Sequence, residues 1–299
     1  MKVSLGICAY NEEKNISKLL NRVLDETSVD EVIIVASGCT DATVDAIAPF
    51  EGDQRVRIVV ESQRTGKSQA FNLILSLYRG DVLVSLPGDV LPEVGAIARL
   101  VAAFEEGVGV VAGLPVPANE AKGIMNRVAL LAWRYHNEML ILQARLGSLS
   151  HASGEIFALR RGVVTGLPPD TVNDDAAIAV AARKAGYRIA IAPSARVLMM
   201  GAHTARDFVA QRRRVLVGHL QLKEEYPGGS GPPSVALSRG FKEPVRALFR
   251  VLRESSGLVA VLPAALTLEG LARALAWVDW HSGRTHRVWQ VATSTKGLP

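Results

Sequence analysis

Short, continuous apolar runs alternate with segments of helical spacing through the first third of this chain, and that alternation constrains its fold more than any other feature. The runs are Val3–Ala9 and residues 31–36, 56–60, 82–86 and 109–113. Between them, Ile16, Leu19, Leu20 and Val23 mark a helix over 15–24, Val44 and Ile47 a second, and 68–77 and 93–104 two more. A strand that is apolar at every position is buried on both faces, as in a parallel sheet covered by helices. The expected fold is therefore α/β, a Rossmann-like, mainly parallel sheet with helices on both faces. Such sheets bind ligands outside the carboxyl ends of their strands. Three of those ends carry polar clusters: Tyr10-Asn11-Glu12, Ser37-Gly38 and Gly88-Asp89.

The later part is less regular. Residues 124–146 form a long apolar helical stretch containing Trp133, Tyr135 and His136. Ser153-Gly154-Glu155 precedes a short strand at 156–159. Asn173-Asp174-Asp175 opens an alanine-rich helix that Gly186 closes, and a strand is expected at 187–192. A helix over 208–225 carries Gln211-Arg212-Arg213-Arg214. Residues 226–238, rich in Gly, Pro and Ser, read as a loop. A basic amphipathic helix around 246–253 and a strongly apolar stretch at 258–278 follow.

The 299 residues, 48% hydrophobic and 21% charged, describe a globular chain and exclude a disordered one. The two cysteines, Cys8 and Cys39, have no zinc or disulfide spacing and read as buried thiols in a reducing compartment. The first residues pass directly into a strand pattern without a signal-peptide pattern, so a catalytic part facing the cytoplasm is expected. The net charge is +5, and the basic excess lies late: from Arg196 to Arg253 eleven bases face four acids. Nucleic acid, anionic lipid and phosphorylated substrates all suit such a surface.

Several residues can carry chemistry. Asp89 ends a buried strand after a Pro-Gly turn. It can hold a hard divalent ion together with substrate phosphates, or it can simply cap the next helix. Asp174 and Asp175 stand at a helix start. One can cap backbone N–H groups while the other accepts a proton in the cleft. The three successive arginines point to different sides of their helix, toward a diphosphate or toward lipid headgroups. His203 reads either as a metal ligand or as a surface histidine. Gly66-Lys67-Ser68 resembles the end of a phosphate-binding loop, but Glu61 stands where that motif needs its first glycine.

Seven segments in order carry a stronger signal: CAYNEE (8–13), SGCTDAT (37–43), GKSQAFN (66–72), LPGDV (86–90), SGEIFALRR (153–161), NDDAAIA (173–179) and QRRRV (211–215). Together they resemble the family-two inverting glycosyltransferases of the GT-A fold, the cellulose synthase-like group with its membrane-associated mannosyltransferases. The resemblance covers about 3–220. It implies a nucleotide-sugar donor held by Ala9, Tyr10, Asn11, Glu12, Ser37, Gly38, Lys67, Gly88, Asp89, Gln211, Arg212 and Arg214. It implies Mn2+ or Mg2+ at Asp89, where His203 is a further candidate ligand. Asp175 becomes the base beside Asp174, and Ser153, Gly154 and Glu155 face the acceptor. Nucleic acid is not an expected partner.

Three departures qualify the resemblance. Pro87 replaces the first acid of the Asp-x-Asp metal site. Ala36 and Ser37 stand where an aspartate usually holds the nucleotide base, which disfavours uracil and points toward GDP-mannose over UDP-glucose. Val215 replaces a tryptophan expected of polymerising enzymes, so transfer of a single hexose is expected. The expected division is a catalytic domain at 1–225, with a nucleotide-sugar half (1–115) and an acceptor half (116–225), followed by a linker and membrane-associated helices at 226–299. Residues 258–278 are long enough to span a bilayer. They contain Pro263, Glu269 and Arg273, so an interfacial placement and a span are both open. Flanking bases and Trp277, Trp280 and Trp289 suit a membrane surface. A lipid-linked or glycolipid acceptor at the cytoplasmic face follows.

Overall fold

The computed structural model describes residues 1–147, 149, 151–225, 242–284, 286, 288 and 293–298. The expected loop at 226–238, with Arg239, Arg287 and Trp289, lies outside the described residues.

Among the described residues eight strands form one sheet, in the order β3 (Val56–Glu61), β2 (Glu31–Ser37), β1 (Val3–Ala9), β4 (Val82–Pro87), β7 (Phe157–Arg160), β6 (Val108–Pro117), β8 (Arg188–Met199) and β5 (Val90–Pro92). The apolar runs become β1, β2, β3, β4 and β6. β1 lies at the centre of the parallel half, paired with β2 and β4. Successive β2 side chains alternate between faces, as strand geometry requires. Val32, Ile34 and Ala36 join the core beneath α1 (Ile16–Leu24), α2 (Thr43–Ile47) and α4 (Ala96–Ala102). Ile33 and Val35 join the opposite core, beneath α3 (Lys67–Leu77) and α6 (Asp174–Lys184). Both faces of β1, β2 and β4 are covered, which is why these strands are largely apolar, whereas β3 at the sheet edge carries Arg57 and leaves Val60 exposed.

The second half departs from simple alternation. β7 (Phe157–Arg160) inserts antiparallel between β4 and β6. β8 (Arg188–Met199) runs well past residue 192 and pairs parallel with β6 through two register shifts. A three-residue strand, β5 (Val90–Pro92), pairs antiparallel with the end of β8. The helix expected over 93–104 is correspondingly shorter and begins at Ala96, after left-handed Gly95 (φ 73).

Beyond the sheet lie α5 (Ile124–Arg145), α7 (Ala205–Glu225), α8 (Lys242–Glu254) and α9 (Leu262–His281). α9 packs along α7 through Leu216, Val217, Ala272 and Ala276. Charges reinforce that seam. Arg212 Nε and Nη2 bind the two oxygens of Glu269 at 2.8 and 3.0 Å, and Arg273 adds a 2.9 Å contact one turn on. Arg213 forms a bidentate pair with Asp279, which His286 also reaches at 2.8 Å. Residues 256–281 are long and apolar enough to cross a membrane, and Leu266, Leu271, Trp277 and Val278 remain exposed on α9.

Candidate active site

The carboxyl ends of β1, β2 and β4 meet at one edge. Cys8 on β1 is level with Val35 and Pro87 on its two neighbours. The loop after β1 is fixed by the loop after β2. Asn11, in the left-handed region at φ 55, exchanges two hydrogen bonds with Thr40, at 2.8 and 3.0 Å. Asparagine tolerates that backbone better than most residues. Glu12 N–H donates to Thr43 Oγ1 at 2.6 Å. Gly88 is required for close approach, since a Cβ there would lie 2.8 Å from Glu12 Cγ. Gly38 is required twice over: its φ is +61, and a Cβ would sit 2.3 Å from the Arg64 backbone nitrogen. The Arg64 guanidinium lies 3.8 Å above the Tyr10 ring. Between these loops is a cavity of about 140 Å³, with Tyr10, Ser37, Arg64, Lys67, Asp89 and Lys296 in its wall.

Deeper in, α6 and α7 bring charges to the same edge. A Cβ on Gly218 would lie 2.5 Å from Asn173 Cγ, and Asn173 Nδ2 donates to Val215 O at 2.9 Å. This tight seam sets the start of α6 against Arg214. Lys67, at the start of α3, pairs with Asp174 Oδ2 at 2.9 Å. Asp175 Oδ1 accepts the Ala176 N–H at 2.8 Å, and Gly154 packs beside its other oxygen. Glu155 accepts a 2.7 Å hydrogen bond from Ser153.

The electrostatics follow from burial. Burial raises the Asp89 pKa, against the opposing charges of Lys67 and Arg214. Burial also raises Glu155, helped by Asp89 and opposed by Ser153 and Lys67. Asp175 rises to about 7, through burial first, then the charges of Asp174 and Glu155, against Lys67. Burial lowers Arg214, although Asp174, Asp175, Glu155 and Asp89 all favour its charged form. Lys67 shows the reverse balance: burial, the largest single influence, opposes its charge, but Asp174 together with Asp175 and Cys8 outweighs it and the pKa rises.

Four carboxylates, Asp89, Glu155, Asp174 and Asp175, therefore lie within electrostatic reach of two cations, Lys67 and Arg214, and ionising all four together is costly where water is scarce. Among the described residues, no group of three or more His, Cys, Asp or Glu side chains is placed to cage a metal ion. The donor set nevertheless fits a hard divalent cation held by one carboxylate and completed by phosphate oxygens. Asp89 is the carboxylate on the cavity wall.

The structure thus brings together Ala9, Tyr10, Glu12, Ser37, Lys67, Gly88 and Asp89 around the cavity, with Gly38 and Asn11 shaping its loops. It gathers Glu155, Asp174, Asp175 and Arg214 by charge. Arg212, expected at the donor, is instead turned to Glu269. On a helix of 3.6 residues per turn, positions 212 and 214 face nearly opposite ways. Gln211, three residues before Arg214, shares its side of α7. His203, expected as a metal ligand, is exposed in the loop after β8. The pairing of Met199 with Val90 sets the start of that loop beside the Asp89 turn. Neither Asp174 nor Asp175 is the residue that caps α6, a position that falls to Asn173.

Arg64 and Lys296 are additions that the sequence reading missed. Arg64 follows the carboxyl end of β3, so the strand-end rule that found Ser37 also points to it. Lys296 lies 284 residues from its partner Glu12, and no local pattern marks it.

A model of glycosyl transferase family 2 matches residues 4–167, and one of glycosyl transferase family group 2 matches residues 86–283. An undecaprenyl-phosphate 4-deoxy-4-formamido-L-arabinose transferase from Yersinia pestis is 27% identical over 169 residues, 54% of this chain and 50% of that one. An uncharacterised glycosyltransferase from Haemophilus influenzae is 24% identical over 106 residues, 35% of this chain and 33% of the other. The chain thus spans one third to one half of the length of these curated relatives. Among solved structures, a mannosyltransferase from Pyrobaculum calidifontis in complex with GDP-Man and Mn2+ superposes with a TM-score of 0.70 and 20% identity, covering 95% of this chain and 88% of that one. Glucosyl-3-phosphoglycerate synthase from Mycobacterium tuberculosis, with Mn2+ and UDP, gives 0.53 and 22%, over 74% and 79%. These two likenesses establish the GT-A fold. With one family model covering more than half of its length, the chain belongs to glycosyl transferase family 2.

Proposed function

We propose that the chain is a metal-dependent inverting glycosyltransferase that moves one hexose, mannose from GDP-mannose, to a hydroxyl of a lipid-linked acceptor at the cytoplasmic face of a membrane. One observation carries the chemistry: Asp175, half-buried in an acidic cluster, has a pKa raised to about 7. A carboxyl near neutrality is matched to accepting a proton during reaction. The acceptor hydroxyl gives its proton to Asp175 and attacks the anomeric carbon. The bond from that carbon to the diphosphate oxygen breaks on the opposite side, so the configuration inverts. Arg214 and Lys67 face the charge that develops on the departing diphosphate. Asp89, with the donor's phosphates, would hold a divalent cation, which would supply Lewis-acid neutralisation of that charge. Glu155, Ser153 and Gly154 flank Asp175 on the acceptor side.

Mannose and the guanine base rest on two further observations: the missing aspartate at Ala36 and Ser37, and the bound ligands of the fold relative from Pyrobaculum. The lipid acceptor rests on the exposed apolar side of α9, the basic residues of α8, and the undecaprenyl-phosphate relative. In this reading residues 1–225 carry catalysis and 226–299 carry membrane attachment. A panel of nucleotide sugars, scored by thermal unfolding with and without Mn2+, tests the donor. At about 100 times its Kd, GDP-mannose with Mn2+ should stabilise by about 2.7 kcal/mol, a rise of about 5 °C in Tm. UDP-glucose should give less. Equal shifts with and without Mn2+, or a larger shift with UDP-glucose, would count against this donor assignment.

A further inference from the structure

Residues 294–298 return to the donor cavity and are anchored on both sides of Lys296. Ser294 N–H donates to Asp207 Oδ2 on α7 at 3.2 Å. Leu298 N–H donates to Asn15 Oδ1 at 2.9 Å, and Leu298 O accepts from Lys18 Nζ at 3.0 Å. Between these anchors Lys296 turns inward. Its ammonium pairs with the Glu12 carboxylate and lies 3.4 Å from the Tyr10 carbonyl oxygen. The same side chain lines the cavity that Asp89, Gly88 and Lys67 also line.

A segment in this place is either a plug that donor must expel or a wall that donor binds against. Two buried groups decide between them. Asn15 is 1% exposed and Glu12 is 5% exposed. The Asn15 oxygen accepts from Leu298, and a Glu12 oxygen accepts from Lys296. Withdrawing the segment would take from the Asn15 oxygen its Leu298 donor and from Glu12 its cation, leaving that carboxylate with Asn15 Nδ2 alone, and such groups keep their partners in native proteins. A wall fits this arrangement and a plug does not. An ammonium also has three donors. Glu12 and the Tyr10 carbonyl engage two, which leaves one for the cavity. Lys67 is held by Asp174, and Arg64 is stacked on Tyr10.

We propose that Lys296 is a donor-binding residue, whose ammonium contacts a phosphate oxygen of the nucleoside diphosphate, and that residues 294–298 form a built wall of that site. This rests on the donor reading of the cavity given above. α7 then joins three parts of the molecule: Asp207 holds the wall, Arg214 faces the acidic cluster, and Arg212 and Arg213 hold α9.

Calorimetric titration of the full chain with GDP, and separately with UDP, each with Mn2+, tests the proposal. Charge-assisted contacts of this kind set the expected loss: Lys296→Ala should weaken the preferred nucleotide about tenfold or more. Lys296→Arg should restore most of that affinity. Lys296→Ala leaves the Glu12 carboxylate without its cation, so its unliganded melting point should fall, whereas that of Lys296→Arg should stay near that of the wild type. Unchanged affinity in Lys296→Ala would overturn the contact, and tighter binding would identify a plug. Loss of affinity in both variants with a matching drop in unliganded stability would make the residue structural and overturn the proposal. If the wild type binds neither nucleotide, the donor reading of the cavity fails, and this inference falls with it.

Discussion

Asp175→Asn should abolish sugar transfer and leave nucleotide binding intact. The side chain keeps its size and its place beside Gly154, but it can no longer take a proton. Loss of a positioned general base lowers kcat by about 10²–10⁴-fold. GDP with Mn2+ should bind the variant within a few-fold of wild type, because Asp89 and the cavity loops are untouched. The pH profile sharpens the test. Wild-type kcat/KM should fall about tenfold per pH unit below an inflection near 7, where Asp175 takes up its proton. Residual activity of the variant should lack that limb. Stability moves in the opposite sense. The native state holds the Asp175 proton more tightly than the unfolded chain, whose carboxyl titrates near its ordinary value of 3.8. The stabilising contribution is therefore complete below about pH 4 and is lost as pH rises through about 7. The amide introduced by Asp175→Asn stays neutral throughout, so the melting-point advantage of the variant over wild type should widen from pH 4 to pH 7 and then level off. Activity that survives the substitution would contradict the base assignment. A phosphate oxygen as acceptor, already anionic at neutral pH, is one chemistry that would give that result.

Asp89→Ala is the second large effect. Asp89 is the carboxylate of the turn between β4 and β5 and lines the cavity. Removing it should lower kcat/KM by at least about 10²-fold, the loss expected when several kcal/mol of charge stabilisation disappear. Titration with GDP should lose its Mn2+ dependence. Burial raises the Asp89 pKa, so ionising this group is unfavourable in the unliganded protein. Its removal should not lower unliganded stability at pH 8. A variant that keeps Mn2+-dependent nucleotide binding would show that the cation sits elsewhere.

The parallel half of the fold was legible in the sequence because burial on both faces leaves continuous apolar runs. β1 to β4 and β6 appear close to where those runs are. β5 was not legible. It has three residues, including Pro92, and it lies at the sheet edge, where proline is tolerated and pattern is weak. The antiparallel insertion of β7 was also hidden, since strand direction is set by tertiary packing and not by local periodicity. In the candidate site, Asp89, Asp174 and Asp175 stood out because they follow strand ends or open a helix, and the structure sets their charges against Arg214. The residue pattern alone left their division of labour open, and only the resemblance pointed to Asp175 as the base. That division depends on Lys67, more than 100 positions away, pairing with Asp174 and leaving Asp175 as the carboxyl raised toward neutrality. The same limit hid the role of Arg212. Its partner Glu269 is 57 residues on, so a run of three arginines could not show which of them turns inward.

The central claim is a single in-line transfer at the Asp175–Asp89 site. The anomeric configuration of the product tests it most directly. The full chain, given GDP-mannose, Mn2+ and lipid-linked acceptor in anionic vesicles, should release a product carrying one hexose. Nuclear magnetic resonance of that product should show an anomeric centre inverted from the α linkage of the donor. A retained configuration, or a long polymer, would contradict the account.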